Sequence, residues 1–97
     1  MRIMELALYK LAETGKISLE QAKILKTTYN NSSTTFKELL EETNLDETTL
    51  ALEINELLQR KILSFAGPKY YLENFPEKIS ELIREERTEM LNYSKVR

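Results

Sequence analysis

Chemistry in this chain must come from carboxylates, hydroxyls, amides and cations, because its 97 residues include no Cys and no His. That removes Cys/His zinc sites, disulfides, thiolate nucleophiles and every mechanism built on a histidine base. Carboxylates are plentiful, but their spacing does not converge on a substrate. Glu41-Glu42 and Glu85-Glu86 are chain neighbours, which point different ways on a helix, while Glu38 and Glu42, at i and i+4, form a solvated charged row. With two Gly in the chain there is no Gly-rich phosphate loop, and no spaced acidic motif suggests a metal. The reading is a protein without catalytic residues, metal or cofactor.

What remains is a set of groups suited to recognition, gathered between positions 46 and 70: Thr48, Thr49, Asn55, Gln59, Arg60, Lys61, Lys69 and Tyr70. An Asn side chain pairs bidentately with adenine, and Thr can touch a thymine methyl. Arg, Lys and Tyr can hold phosphates and fix register. Ala51 and Leu52 set a small apolar patch among them, which suits a protein contact.

These residues need elements to present them. Met4, Leu8 and Leu11 recur at i, i+4 and i+7, with Ile3 and Ala7 alongside, so residues 1–14 read as a helix ended by Gly15. Ser18 followed by Gln21 has capping-box spacing and opens a second helix with Leu19, Ala22, Leu25 and Tyr29 as its stripe and Ile24 beside it. Asn30-Asn31-Ser32-Ser33 reads as a turn. Thr35 and Glu38 repeat the capping-box spacing for a short third helix, with Phe36, Leu39 and Leu40 inward and its end near Asn44. Leu45 is a turn residue, and Asp46 caps a fourth helix running to about Arg60 on a core face of Leu50, Ile54, Leu57 and Leu58. Residues 62–66 and 69–72 read as strands joined by Gly67-Pro68, with Tyr70 and Tyr71 on opposite faces. Pro76 suits the first turn of a last helix over 76–94, whose apolar positions Ile79, Leu82, Ile83 and Met90 could form a seam.

The order of a short capped helix, a tight turn, a longer helix and a hairpin carries the main implication. Residues 18–74 resemble the winged helix-turn-helix of small archaeal and bacterial transcriptional regulators, including the TrmB-like and MarR-like groups. The resemblance rests on Thr35-Phe36-Lys37-Glu38-Leu39-Leu40, the Asn44-Leu45-Asp46 turn, Leu50, Ile54 and Leu57, and the wing segment Gly67-Pro68-Lys69-Tyr70-Tyr71. It implies a mainly α chain with a small β-hairpin, a winged helix-turn-helix with extra N- and C-terminal helices, as one domain over 1–97. It also implies that base-reaching positions correspond to Asp46, Glu47, Thr48, Ala51, Leu52 and Asn55. Such positions usually carry Arg, Lys, Ser or Gln, and this chain departs from that pattern.

Charge sharpens the departure. The chain has a net charge of −2, but residues 35–60 hold two basic and seven acidic side chains, net −5. Residues 1–34 and 61–70 each carry +2 and residues 71–97 carry −1. Two functions follow. The first is a cytoplasmic transcriptional regulator binding double-stranded DNA, paired as a homodimer through its terminal helices. The alternative is a protein-docking winged helix, an accessory subunit of a transcription or replication complex. Its acidic face and the Ala51/Leu52 patch would meet a partner with a basic surface. No apolar run approaches the ~20 residues of a membrane span.

Overall fold

A computed structural model describes residues 2–73, with side chains from Glu5 onward. The helix expected over 76–94, and with it Ile79, Leu82, Ile83 and Met90, lies outside the described residues. The elements are α1 (Arg2–Glu13), α2 (Leu19–Asn31), β1 (Ser33–Thr35), α3 (Phe36–Thr43), α4 (Glu47–Gln59), β2 (Leu63–Ala66) and β3 (Lys69–Leu72).

Local chemistry sets most of these boundaries. Gly15, at φ +83°, ends α1, and the N–H groups of Gly15 and Lys16 return to the carbonyls of Ala12 and Leu11 at 3.1 and 2.9 Å. The α2 capping box is complete: Gln21 N–H donates to Ser18 Oγ at 3.0 Å and Ser18 N–H donates to Gln21 Oε1 at 3.2 Å. The Thr35/Glu38 pair repeats it for α3 at 3.1 and 2.8 Å. Asn44 closes α3 in the left-handed region at φ 59°, and Asp46 opens α4 by accepting from Thr49 N–H at 3.1 Å.

Each such cap is worth about 1 kcal/mol, whereas fully burying one Leu or Ile is worth about 1.5–3 kcal/mol. Packing therefore drives the fold, and the caps choose where elements begin and end. The core gathers Leu8 and Leu11 of α1, Ala22, Ile24 and Leu25 of α2, Leu39 of α3, and Leu50, Ile54 and Leu57 of α4. Ile62 and Leu63 complete it. Leu19 is an exception to the expected stripe: it occupies the first turn of α2 and is 50% exposed.

The expected hairpin is present as β2–β3, and the sheet extends it by one strand. The sheet has three antiparallel strands in the order β1-β3-β2, and β3 is the centre. Ser33–Thr35 lies within what reads as a turn and capping segment, yet it pairs Ser33 with Tyr71, Thr34 with Tyr70 and Thr35 with Lys69. The chain reversal is concentrated at Ser32, at φ 69°, while Asn30 and Asn31 stay in α2. A pair of hydroxyls locks the new strand to the helix before it. Thr28 Oγ1 donates to the Ile24 carbonyl at 2.9 Å and lies 3.1 Å from Thr34 Oγ1, with both residues fully buried.

Helix α3, the turn at 44–46 and α4 form a helix-turn-helix, and β2–β3 form the wing that β1 ties back to the core. This is a winged helix-turn-helix with an additional N-terminal helix, α1.

The Thr28–Thr34 contact is expected to behave as a coupled pair. Replacing Thr28 with Val strands a buried hydroxyl at Thr34 and should cost about 1–3 kcal/mol in urea unfolding. The double Val variant should cost less than the sum of the two single changes; strict additivity would show that the hydroxyls do not depend on one another.

Candidate nucleic-acid interface

The outward surface of α4 follows from its inward one. At about 100° per residue, Leu50, Ile54 and Leu57 occupy a sector of about 60°. Thr48, Leu52, Asn55 and Gln59 occupy a sector of similar width on the opposite side, and all of them are exposed. Leu52 is 66% exposed. The outermost row of this helix is thus uncharged, with two amides, one hydroxyl and one isobutyl group. Among the described residues, no hydrogen bond within the fold engages the side chains of Thr48, Asn55 or Gln59. Ala51 is also exposed but lies to one side of the row.

Most of the acids that make the 35–60 segment so negative have tasks in the fold. Glu38 accepts from Thr35 N–H in the α3 cap. Glu42 accepts from Asn31 Nδ2 at 3.1 Å, joining α3 to the end of α2. Glu53 accepts from Ser18 Oγ at 3.2 Å, which turns it toward α2 and away from the outer row. Asp46 accepts from both the hydroxyl and the N–H of Thr49. The Thr49 hydroxyl, and then the backbone N–H, hold the Asp46 carboxyl below its ordinary range, so it stays ionised. Glu41, Glu47 and Glu56 remain as exposed acids of this segment with no hydrogen-bond partner among the described residues.

Two residues expected to reach DNA are placed otherwise. Thr49 is half-buried and spends its hydroxyl on Asp46 at 2.7 Å, so it is a capping residue. Tyr70 is half-buried and packs against the core, on the same sheet face as buried Thr34. Its ring lies 4.9 Å from that of Phe65, its cross-strand partner. Tyr71 is the exposed tyrosine, on the opposite face of β3. The most exposed aromatic of β2 and β3 is Phe65, at 55%, on a strand whose burial falls off from Leu63 to Ala66. Strand alternation places Phe65 on the same face as Leu63, yet Leu63 is buried and Phe65 is exposed.

The cations flank this surface. Arg60 is half-buried at the C-cap of α4, Lys61 follows it and is exposed, and Lys69 is exposed at the start of β3. Lys61 lies in the left-handed region at φ 60°. Its N–H donates to the Leu58 carbonyl at 3.1 Å and Ile62 N–H donates to the Leu57 carbonyl at 3.1 Å. This is the Schellman closure that usually places Gly where Lys61 stands, with Ile62 packing into the core beside Leu57.

Among the described residues, no group of three or more acidic, His or Cys side chains is arranged to hold a metal ion. No described helix is long and apolar enough to cross a membrane.

No protein-family model matches the chain, and neither does any curated protein sequence. Among solved structures the fold is similar to the crystal structure of RV1404 from Mycobacterium tuberculosis, with a TM-score of 0.63 at 12% sequence identity. The likeness covers 94% of this chain and 68% of that one, and at this identity it speaks for the fold alone.

Two outcomes test this geometry. Lys61→Gly removes the Cβ from a left-handed residue and should raise stability by up to about 1 kcal/mol; a lower melting temperature would show that the lysine stem contributes packing that outweighs the strain. Asp46→Ala should lower the melting temperature at neutral pH. Because the folded-state pKa is depressed, the carboxylate's contribution is present above the unfolded value, near 3.8, and is lost as pH falls through the folded one. Melts recorded from about pH 7 down to about pH 3 should therefore show the gap between variant and wild type closing. A gap independent of pH would assign the loss to something other than the charge.

Proposed function

We propose that the chain is a DNA-binding protein of the transcriptional-regulator kind, acting in the cytoplasm, which lays α4 in the major groove with the wing alongside. The observation that carries this reading is the outer row of α4: exposed, uncharged and hydrogen-bonding, on the second helix of a helix-turn-helix, which is the helix that enters the groove in such folds. Thr48, Leu52, Asn55 and Gln59 meet base edges, while Arg60, Lys61 and Lys69 hold the backbone. Hydrogen bonding orients the acids but leaves their charge, so the long-range pull toward DNA is small. Affinity then has to come from close contacts and from pairing of two copies. Pairing through the terminal helices is supported by the outer face of α1, where Leu6 is 70% exposed and Tyr9 follows one turn later, partly exposed. A two-fold pair would set its recognition helices about 34 Å apart.

A second reading has its own observation. Leu52 and Ala51 are exposed side by side, with Glu47 and Glu56 also exposed on α4, and a protein partner with a basic surface could cover them. In that case the domain is a docking module of a transcription or replication complex.

Anisotropy titrations of a labelled duplex separate the two. Three phosphate contacts per copy give a log–log salt slope of about −2.7, so binding by one copy should weaken about 40-fold between about 50 and 200 mM salt, and more steeply for a pair. Lys61→Gly should bind more weakly at low salt, with the slope reduced by about 0.9. Absence of duplex binding at the lower salt would transfer the assignment to the docking reading.

A further inference from the structure

We infer that the outer row of α4 is built to read A·T base pairs and to pass over G·C pairs, an inference that rests on the major-groove reading above. The side chain that most often specifies guanine is Arg, with Lys next, through paired bonds to O6 and N7. The row contains neither. Cytosine is read by a carboxylate accepting from its N4 amino group. The exposed carboxylates of α4, Glu47 and Glu56, lie about 110° and 70° around the helix from the middle of the row, so both lie beside it and not in it.

What the row does contain fits the other pair. An amide offers a donor and an acceptor side by side, which matches adenine N6 and N7. Asn55 and Gln59 are four residues apart and are exposed with no partner among the described residues, so both amides are available. Leu52 lies one turn before Asn55 and presents methyl groups with 66% of its surface exposed. Thr48, one turn earlier again, adds a methyl and a hydroxyl. Methyl groups have one matching feature in the major groove, the C5 methyl of thymine. An exposed Leu is costly to leave in water and useless against guanine or cytosine edges, and here it becomes the hydrophobic half of a thymine contact. The row runs from Thr48 to Gln59, a rise of about 16 Å, so it can follow at most about five base-pair steps.

The test uses the full chain and two pools of labelled duplexes with randomised centres, one made only of A·T pairs and one only of G·C pairs. The A·T pool should bind at least about tenfold more tightly, since one good bidentate pair discriminates by about 1–3 kcal/mol. Two modified A·T pools identify the cause. Replacing adenine by 7-deazaadenine removes N7 and should weaken wild type several-fold but leave Asn55→Ala/Gln59→Ala little changed. Replacing thymine by uracil removes the C5 methyl and should weaken wild type more than it weakens Leu52→Ala, with the remaining effect lost in Thr48→Ser/Leu52→Ala. Each altered side chain is exposed, and circular dichroism melts verify that the variants fold.

Equal binding of the two pools, or preference for G·C, overturns the inference and leaves the DNA-binding reading standing. A preference for A·T that neither modification reduces also overturns it, because the discrimination would then come from groove shape. Failure to bind either pool at about 50 mM salt overturns the DNA-binding reading itself, and this inference with it.

Discussion

Helix α2 is the member on which the rest of the domain is assembled. Helices α1, α3 and α4 and strands β1 and β3 all pack against it. Apolar burial brings these elements together, and on α4 the stripe of Leu50, Ile54 and Leu57 sets which side faces in. Two polar ties add to this. At the start of α2, the Ser18 hydroxyl accepts from Gln21 N–H and donates to Glu53, which ties α4 to the α2 cap. Near its end, Thr28 meets Thr34 and fixes the strand that anchors the wing. A helix rolled by one residue, about 100°, would turn a different row outward. The uncharged row of α4 faces outward because Leu50, Ile54 and Leu57 face in, and the Ser18 bond keeps the Glu53 carboxylate out of that row.

Carboxylates at helix starts account for part of the acidity of the segment that, on the DNA-binding reading, approaches a polyanion. Helix N-termini favour negative charge, through the dipole and through unpaired N–H groups. Three helices begin within forty residues, from Ser18 through Thr35 to Asp46, and the acids near their first turns suit those starts. Folding and DNA attraction make opposite demands at the N-terminus of α4, and Asp46 and Glu47 meet the folding demand. Lys61 makes the reverse choice. It holds a cation in a left-handed position where Gly would be less strained, beside the surface that on the same reading needs positive charge. Retained strain next to a binding surface is where function can outweigh local stability.

The parts legible in the sequence are those determined within a few residues. Both capping boxes, the Gly15 and Asn44 helix ends, the Asp46 cap and the span of β3 follow from local chemistry and a period of 3.6 or 2. Strand β1 was not legible, because three residues of Ser and Thr carry no strand pattern, and their partner lies in β3, nearly forty residues on. Long-range pairing also decided the other misplacements. Whether Tyr70 faces in depends on its alignment with Thr34, and the exposure of Phe65, on the same face as buried Leu63, does not follow from strand alternation. Thr49 was ambiguous locally, since the same hydroxyl suits a cap or a base contact, and Asp46 claims it. For the candidate site, the row Thr48, Leu52, Asn55 and Gln59 needs only the helix phase, which the Leu50, Ile54 and Leu57 spacing supplies. The orientation of Glu53 does not, since its partner is 35 residues away.

On the DNA-binding reading, weak electrostatics has a structural consequence. A row covering about five base-pair steps and three flanking cations cannot reach the usual specific range of about 10⁻⁸ to 10⁻¹¹ M without help. Linking two such surfaces makes the second engagement intramolecular and can raise apparent affinity by about 10² to 10⁴ without any new contact. It also doubles the sequence read. A monomer with a strongly basic recognition helix would bind tightly but indiscriminately, since phosphate contacts carry no sequence information. An acidic helix with an uncharged outer row inverts that balance: non-specific binding is suppressed, and the free energy gained depends on matching bases in two half-sites at once. Leu6 and Tyr9 are exposed on α1 and not on α4, with Lys26 of α2 over the Tyr9 ring, so on this reading the residues that assemble the dimer need not be those that read the groove.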